Sequence, residues 1–183
     1  MGTDIEWIIT EVDGKIASAS PDYRLFSKIA SAIASMKPSS VDSVRARKIS
    51  TDELVFLSKE VVWDDLHIFG TSFQKNVLET LFTTQRERPR LMSYSEIASL
   101  CNNPGGVRPV AHALAVNPLA FIIPCHLVVP KESMDKIASI RSVAEASTLF
   151  KGSDLYLLDS IDVGEYAFGS DLKREFIKIS LGK

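Results

Sequence analysis

Cysteine is scarce in this chain, with only Cys101 and Cys125 among 183 residues. Two thiols cannot build a disulfide framework, and they fit a reducing compartment, so the cytoplasm is expected, or the nucleus in a eukaryote. Histidine is nearly as rare: His67, His112 and His126 are the three. Neither cysteine therefore has the companions of a zinc site, and no metal or other cofactor is expected. No apolar stretch approaches the length of a membrane span, and the acidic opening Met1-Gly2-Thr3-Asp4 is not the start of a signal peptide. No charge of one sign prevails either. A net charge of −2 argues against a generic polyanion binder while leaving room for a small basic site. What remains, 45% hydrophobic and 24% charged residues, is ordinary for a globular protein with one large domain or two small ones.

In the first third, Ile5–Ile9 and Lys15–Ala19 read as paired strands, joined by the hairpin signal Asp13-Gly14. Pro21-Asp22 opens a helix with Tyr23, Phe26, Ile29, Ala30 and Ile33 on one face, ended by Lys37-Pro38. Val44–Ile49 reads as a further strand, and Ser50-Thr51-Asp52-Glu53 caps a helix through Phe56, Leu57 and Val61. Arg45, Arg47 and Lys48 read as a solvated strand face. Residues 1–66 are thus expected to form a small α/β domain without chemistry of its own.

From Gly70-Thr71-Ser72 onward the pattern becomes helical. A helix is predicted through Phe73, Val77, Leu78 and Leu81, followed by a polar loop over Thr83–Arg90. Ser93-Tyr94-Ser95-Glu96 has the spacing of a capping box and starts a helix burying Ile97, Ala98 and Leu100. A Gly-rich turn, Asn102 to Gly106, then leads into a second short helix over Val107–Ala115, with Pro109 tolerated in its first turn. Two short helices with such a turn make a helix-turn-helix candidate, although many such pairs merely pack. The expected fold is an α/β N-terminal domain followed by a mainly α C-terminal domain, residues 67–183, with a helix-turn-helix.

Phe121–Pro130 is an apolar run interrupted only by Cys125-His126 and containing prolines at 124 and 130, which reads as a buried strand or two extended segments. A thiol beside an imidazole between apolar walls suits a nucleophilic thiolate. A buried structural cysteine is the commoner fate of a lone thiol, and the dipeptide by itself does not decide between them.

Taken in order, Gly70-Thr71-x-Phe73-Gln74-x-x-Val77, Ser93-Tyr94-x-x-Ile97-Ala98, Val107-Arg108-x-Val110, Asn117-Pro118 and Pro124-Cys125-His126-x-Val128-Val129 resemble the O6-alkylguanine-DNA alkyltransferases. The resemblance covers roughly Gly70–Pro130, with a weaker match near the C-terminus. It implies stoichiometric repair, in which a flipped O6-alkylguanine in double-stranded DNA passes its alkyl group to Cys125 as a permanent thioether. By the same resemblance His126 helps remove the thiol proton and Asn117 holds the active-site turn. Tyr94, the backbone of Val128, and a pocket loop carrying Tyr166 and Ala167 bind the guanine. Arg108 fills the space left by the flipped base, and the small residues Gly106, Ala111 and Ala115 let the second helix enter the minor groove without regard to sequence. A monomer without membrane attachment is expected.

The chain departs from that family in several places. Leu127 stands where arginine is usual, Leu78 replaces a tryptophan, and the loop after Thr83 lacks a Pro-x-Gly turn. An insertion of about residues 132–162 separates Pro130 from the pocket loop, and Ile137, Ile140, Val143, Ala144 and Leu149 space it as an amphipathic helix on the domain's own surface. Where the family has a glutamate behind the histidine, Ser180 falls, while the nearby Glu175 points elsewhere on its helix. Two other classes therefore stay open: a non-catalytic sensor of alkylated DNA, and a Cys-His hydrolase.

Overall fold

The computed structural model describes residues 5–22, 24, 27–28, 43–146 and 154–182. It has an N-terminal sheet unit and a helical C-terminal part. Strands β1 (Trp7–Val12), β2 (Lys15–Ser20) and β3 (Val44–Ile49) form an antiparallel sheet in the order β2-β1-β3. The first strand begins two residues later than its hydrophobicity suggests. Asp13 and Gly14 both adopt positive φ (51° and 80°), the pair of left-handed conformations that a two-residue hairpin turn demands. Arg45, Arg47 and Lys48 are exposed on β3, as expected for an edge strand. The helix expected over Tyr23–Ile33 lies, apart from Arg24, Ser27 and Lys28, outside the described residues.

Helix α1 (Thr51–Glu60) starts with a full capping box between Ser50 and Glu53. Only Leu54 of its residues is fully buried, and Phe56 is 67% exposed, so Phe56 is not the core residue its spacing suggests. Helix α2 (Ser72–Glu87) is capped by Thr71 and buries Val77, Leu78, Leu81 and Phe82. It corrects the polar loop expected from Thr83. Gln85 is buried, with its amide bonded to the backbone N–H and carbonyl of Arg90. Arg86 reaches back to the carbonyls of Ser58, Lys59 and Val61 at the end of α1. Arg86 thus has partners that only the tertiary fold supplies, Gln85 bonds locally to Arg90, and the helix ends just before Pro89.

Helices α3 (Tyr94–Leu100) and α4 (Val107–Ala115) are the expected helix pair. Ser93 accepts from the Glu96 N–H at 3.1 Å, but the Glu96 carboxylate is paired with Arg90. The capping box is therefore only half made. Gly106 is buried in the connecting turn, where a Cβ would lie 2.3 Å from the Asn103 side-chain nitrogen, so its smallness serves the turn itself.

The apolar run after Asn117 is not a strand through the cysteine. Phe121 takes a positive φ of 67°, Cys125–Leu127 form one 3-10 turn, and only then does the two-residue strand β5 (Val128–Val129) pair in parallel with β4 (Met92–Ser93). Helix α5 (Lys131–Ala146) covers the first half of the segment expected to be an insertion. Its Ile137 joins Leu91, Leu127, Val129, Leu157, Leu158, Ile161, Val163 and Ile177 in a second, smaller core. The side chains expected to continue that face, at Val143, Ala144 and Leu149, lie outside the described residues. Helix α6 (Ser170–Leu181) closes the fold.

The sheet is tied to the site it flanks. The Ala19 N–H donates to the Pro118 carbonyl at 2.9 Å, and buried Trp7 packs against Phe176 and, edge to face, Phe168. Among the described residues no helix is long and apolar enough to cross a membrane.

Candidate active site

Asn117 organises the turn that presents Cys125. Its amide nitrogen donates to the Ile123 carbonyl at 3.1 Å and to the Cys125 sulfur at 3.2 Å, while its oxygen accepts from the Leu119 N–H at 3.1 Å. One side chain thus fixes both ends of the loop and touches the thiol. The sulfur lies on the wall of a cavity of about 420 Å³. Tyr94, Ala111, Ala115, Asn117, Tyr166 and Ala167 line the same cavity, so seven residues singled out from the sequence, Cys125 included, come together there. His112, Glu165, Phe168 and Lys173 line it as well.

Other expected residues sit elsewhere. Val128 does not line the cavity: it is buried in β5, and its carbonyl accepts a 2.8 Å hydrogen bond from the Lys173 ammonium. Gly106 is buried in the turn, and Arg108 is exposed in the first turn of α4. His126 is wholly buried behind the thiol, stacked on Phe121 and edge to face with Phe176. Its Nε2 lies 2.8 Å from the Ser180 hydroxyl, and its Nδ1 has no protein partner.

The electrostatics follow from burial. Desolvation pushes the Cys125 thiol up, and the Asn117 amide, the Lys173 ammonium and the Tyr166 hydroxyl pull it back down. Tyr166 is itself raised well above the usual tyrosine range by burial and by the charge that Cys125 would carry. Its hydroxyl is buried near enough to the sulfur to favour the thiolate, yet completes no hydrogen bond within the protein. Tyr94 is likewise raised, mainly by burial. Burial depresses His126 to about 3, with the Lys173 charge adding to the effect. Burial also lowers Lys173 to about 8, against the attraction of Cys125 and Asp162. On balance burial keeps the Cys125 thiol above its ordinary value, so the resting site holds a thiol opposite Lys173 with a neutral imidazole behind them, and the ammonium favours the thiolate as it forms.

Ser180, which falls in the sequence at the place of the family's glutamate, lies against His126 as that placement implies, whereas the part of Lys173 went unread in the sequence. A lysine in an amphipathic helix reads as a surface charge, yet Lys173 is 1% exposed. Its spacing on α6 was the available signal: Lys173, Phe176, Ile177 and Ser180 recur at helical intervals on the inward side.

Residues 72–146 match the family model for the DNA-binding domain of 6-O-methylguanine DNA methyltransferase. This segment is similar to the DNA-binding domain of the alkyltransferases. Among curated relatives, a probable methylated-DNA–protein-cysteine methyltransferase of Acanthamoeba polyphaga mimivirus is 42% identical over 69 residues, 38% of this chain and 45% of that protein. The methylated-DNA–protein-cysteine methyltransferase of Kluyveromyces lactis is 41% identical over 63 residues, 34% of this chain and 32% of that protein. The chain thus spans less than half the length of these curated relatives. A solved O6-methylguanine-DNA methyltransferase from Pyrococcus kodakaraensis strain KOD1 is 21% identical with a TM-score of 0.57, covering 98% of this chain and 94% of that one. That likeness extends the shared fold beyond the alkyltransferase segment, over the N-terminal sheet and α6.

Proposed function

We propose that this protein repairs DNA by direct, stoichiometric transfer of an alkyl group from O6-alkylguanine to Cys125. The observation that carries the reading is the Cys125 sulfur, held by Asn117 at the wall of a base-sized cavity that opens beside α4 of the matched helix pair. In the reaction the thiolate attacks the alkyl carbon, the carbon–O6 bond breaks, and guanine leaves as an anion that takes up a proton. Lys173 favours the thiolate, and the absence of an acyl linkage leaves water nothing to hydrolyse, so each molecule reacts once.

The bound base would lie between Tyr94 and the loop of Tyr166 and Ala167, with His112 and Glu165 among its further neighbours. Its extrusion from double-stranded DNA needs something to occupy the gap, and exposed Arg108 at the start of α4 is suited to that. Ala111 and Ala115 keep the adjoining helix surface low, as close approach to a minor groove requires. The domain division at 66/67, a monomeric state, and a cytoplasmic or nuclear location belong to the same reading.

The test is intact-protein and peptide mass spectrometry after incubation with duplex DNA carrying O6-methylguanine. One methyl group per molecule at Cys125, none at Cys101, and none anywhere in Cys125→Ala is the expected result. DNA binding without an adduct would replace repair by a sensor, and turnover of an ester substrate would indicate a hydrolase.

A further inference from the structure

We propose that Ser180 is the positioning residue of His126 and connects it to solvent on the side away from the substrate cavity. This rests on the reading of Cys125 as the nucleophile. Three residues form a bridge through the protein. Cys125 faces the cavity of about 420 Å³, His126 is completely buried, and Ser180 lines a second cavity of about 320 Å³ behind them. The second cavity has an apolar floor that includes Phe121, Pro124 and Leu127, and exposed Lys59 and Arg86 at its rim, so water reaches it. The Ser180 hydroxyl, 2.8 Å from Nε2, is the polar contact between the imidazole and that space.

A serine hydroxyl does what a carboxylate cannot: it accepts one proton while giving up another, and it places no charge beside the ring. The thiol proton of Cys125 is carried through water to Nδ1, which bonds no protein group. The Nε2 proton passes to the Ser180 oxygen, and the Ser180 hydroxyl proton passes to water in the rear cavity. One proton has left the thiol, one has entered solvent, and His126 ends as its other neutral tautomer. No imidazolium accumulates, in keeping with a ring whose charging is opposed by burial and by Lys173. A protein that reacts once has no need to restore the starting tautomer.

Ser180→Ala and Ser180→Thr test this with three readouts. The first is the rate of Cys125 alkylation by iodoacetamide at neutral pH, which needs no DNA. The second is single-turnover methyl transfer from O6-methylguanine DNA, and the third is solvent exchange of the His126 ring proton with its tautomer by ¹⁵N NMR. Ser180→Ala is expected to slow alkylation and ring-proton exchange by about 10-fold or more, within the range that general-base help covers. Ser180→Thr, which keeps the hydroxyl, should stay close to wild type. Wild-type rates and an unchanged exchange rate in Ser180→Ala overturn the proposal, as does equal impairment of both variants. If wild type reacts with iodoacetamide in a Ser180-dependent way but never with alkylated DNA, the repair reading fails and the role of Ser180 stands. If DNA transfer proceeds equally well without the hydroxyl, the repair reading stands and the role of Ser180 fails.

Discussion

Burying His126 as a neutral ring should make the fold acid-sensitive to a calculable degree. The folded value of about 3 lies below the 6.5 of an exposed histidine. As pH falls, the unfolded chain therefore binds this proton first, and each increment of binding favours unfolding. The contribution is whole above pH 6.5 and is lost as pH drops toward 3. Integrating between these values, the step from pH 7 to pH 5 removes about 2 kcal/mol, out of about 5 kcal/mol available over the whole window. The comparison is with His126→Phe, whose ring fits between Phe121 and Phe176 and does not titrate. Urea unfolding of both proteins at pH 7 and pH 5 reads the difference in slope, and His67, whose value is also lowered by burial, cancels because it is present in both. Wild type should lose about 2 kcal/mol more than the variant over that step. Equal losses would mean that the imidazole protonates in place, and the neutral-relay chemistry would fall with it.

Lys173→Met should leave stability within about 2 kcal/mol, because removing a buried charge offsets the unbonded Val128 carbonyl. The same change should slow iodoacetamide labelling of Cys125 at neutral pH by about an order of magnitude by removing the ammonium that favours the thiolate. A loss of stability without a loss of reactivity would refute that role. Asn117→Ala forfeits three hydrogen bonds and should cost about 2–4 kcal/mol in urea unfolding; a change below ~1 kcal/mol would show that the turn is held by other contacts. Arg108→Ala should slow methyl transfer from duplex DNA far more than reaction with free O6-alkylguanine base, which needs no flipping, and equal effects on both would remove Arg108 from that task.

What the sequence disclosed was mostly local. Asp13-Gly14 specified its hairpin because both residues tolerate left-handed backbone, and Ser50-x-x-Glu53 specified a cap because its partners lie three residues apart. Features resting on distant partners were misread. Thr83–Arg90 looked like a loop because the carbonyls that Arg86 caps belong to another helix. The apolar pattern around Cys125 reads as extended; that Asn117 holds a turn there came from the resemblance alone, and the structure supplies its bonds to Ile123 and Cys125. Ser180 falls in the sequence at the position behind the histidine, and the structure sets its hydroxyl against that ring, 54 positions earlier in the chain.

Leu127 and the segment that follows it pack against each other. The resemblance leads one to expect arginine at this position, yet here the side chain is 1% exposed among Ile137 of α5 and Leu157, Leu158, Ile161 and Val163 of the segment that follows it. A guanidinium there would need a buried partner, and none of these neighbours is polar. Arg174 on α6 instead donates to the carbonyls of Leu158 and Ile161, fastening that segment to the helix that carries Lys173 and Ser180. This segment therefore bears on the reacting atoms at one remove. It turns the back of the active-site turn into a small core, and that core fixes α6 in the register that sets an ammonium on one side of Cys125-His126 and a hydroxyl on the other. On the proposed relay, apolar packing around Leu127 stands in for a charged support and the Ser180 hydroxyl for a carboxylate behind the histidine.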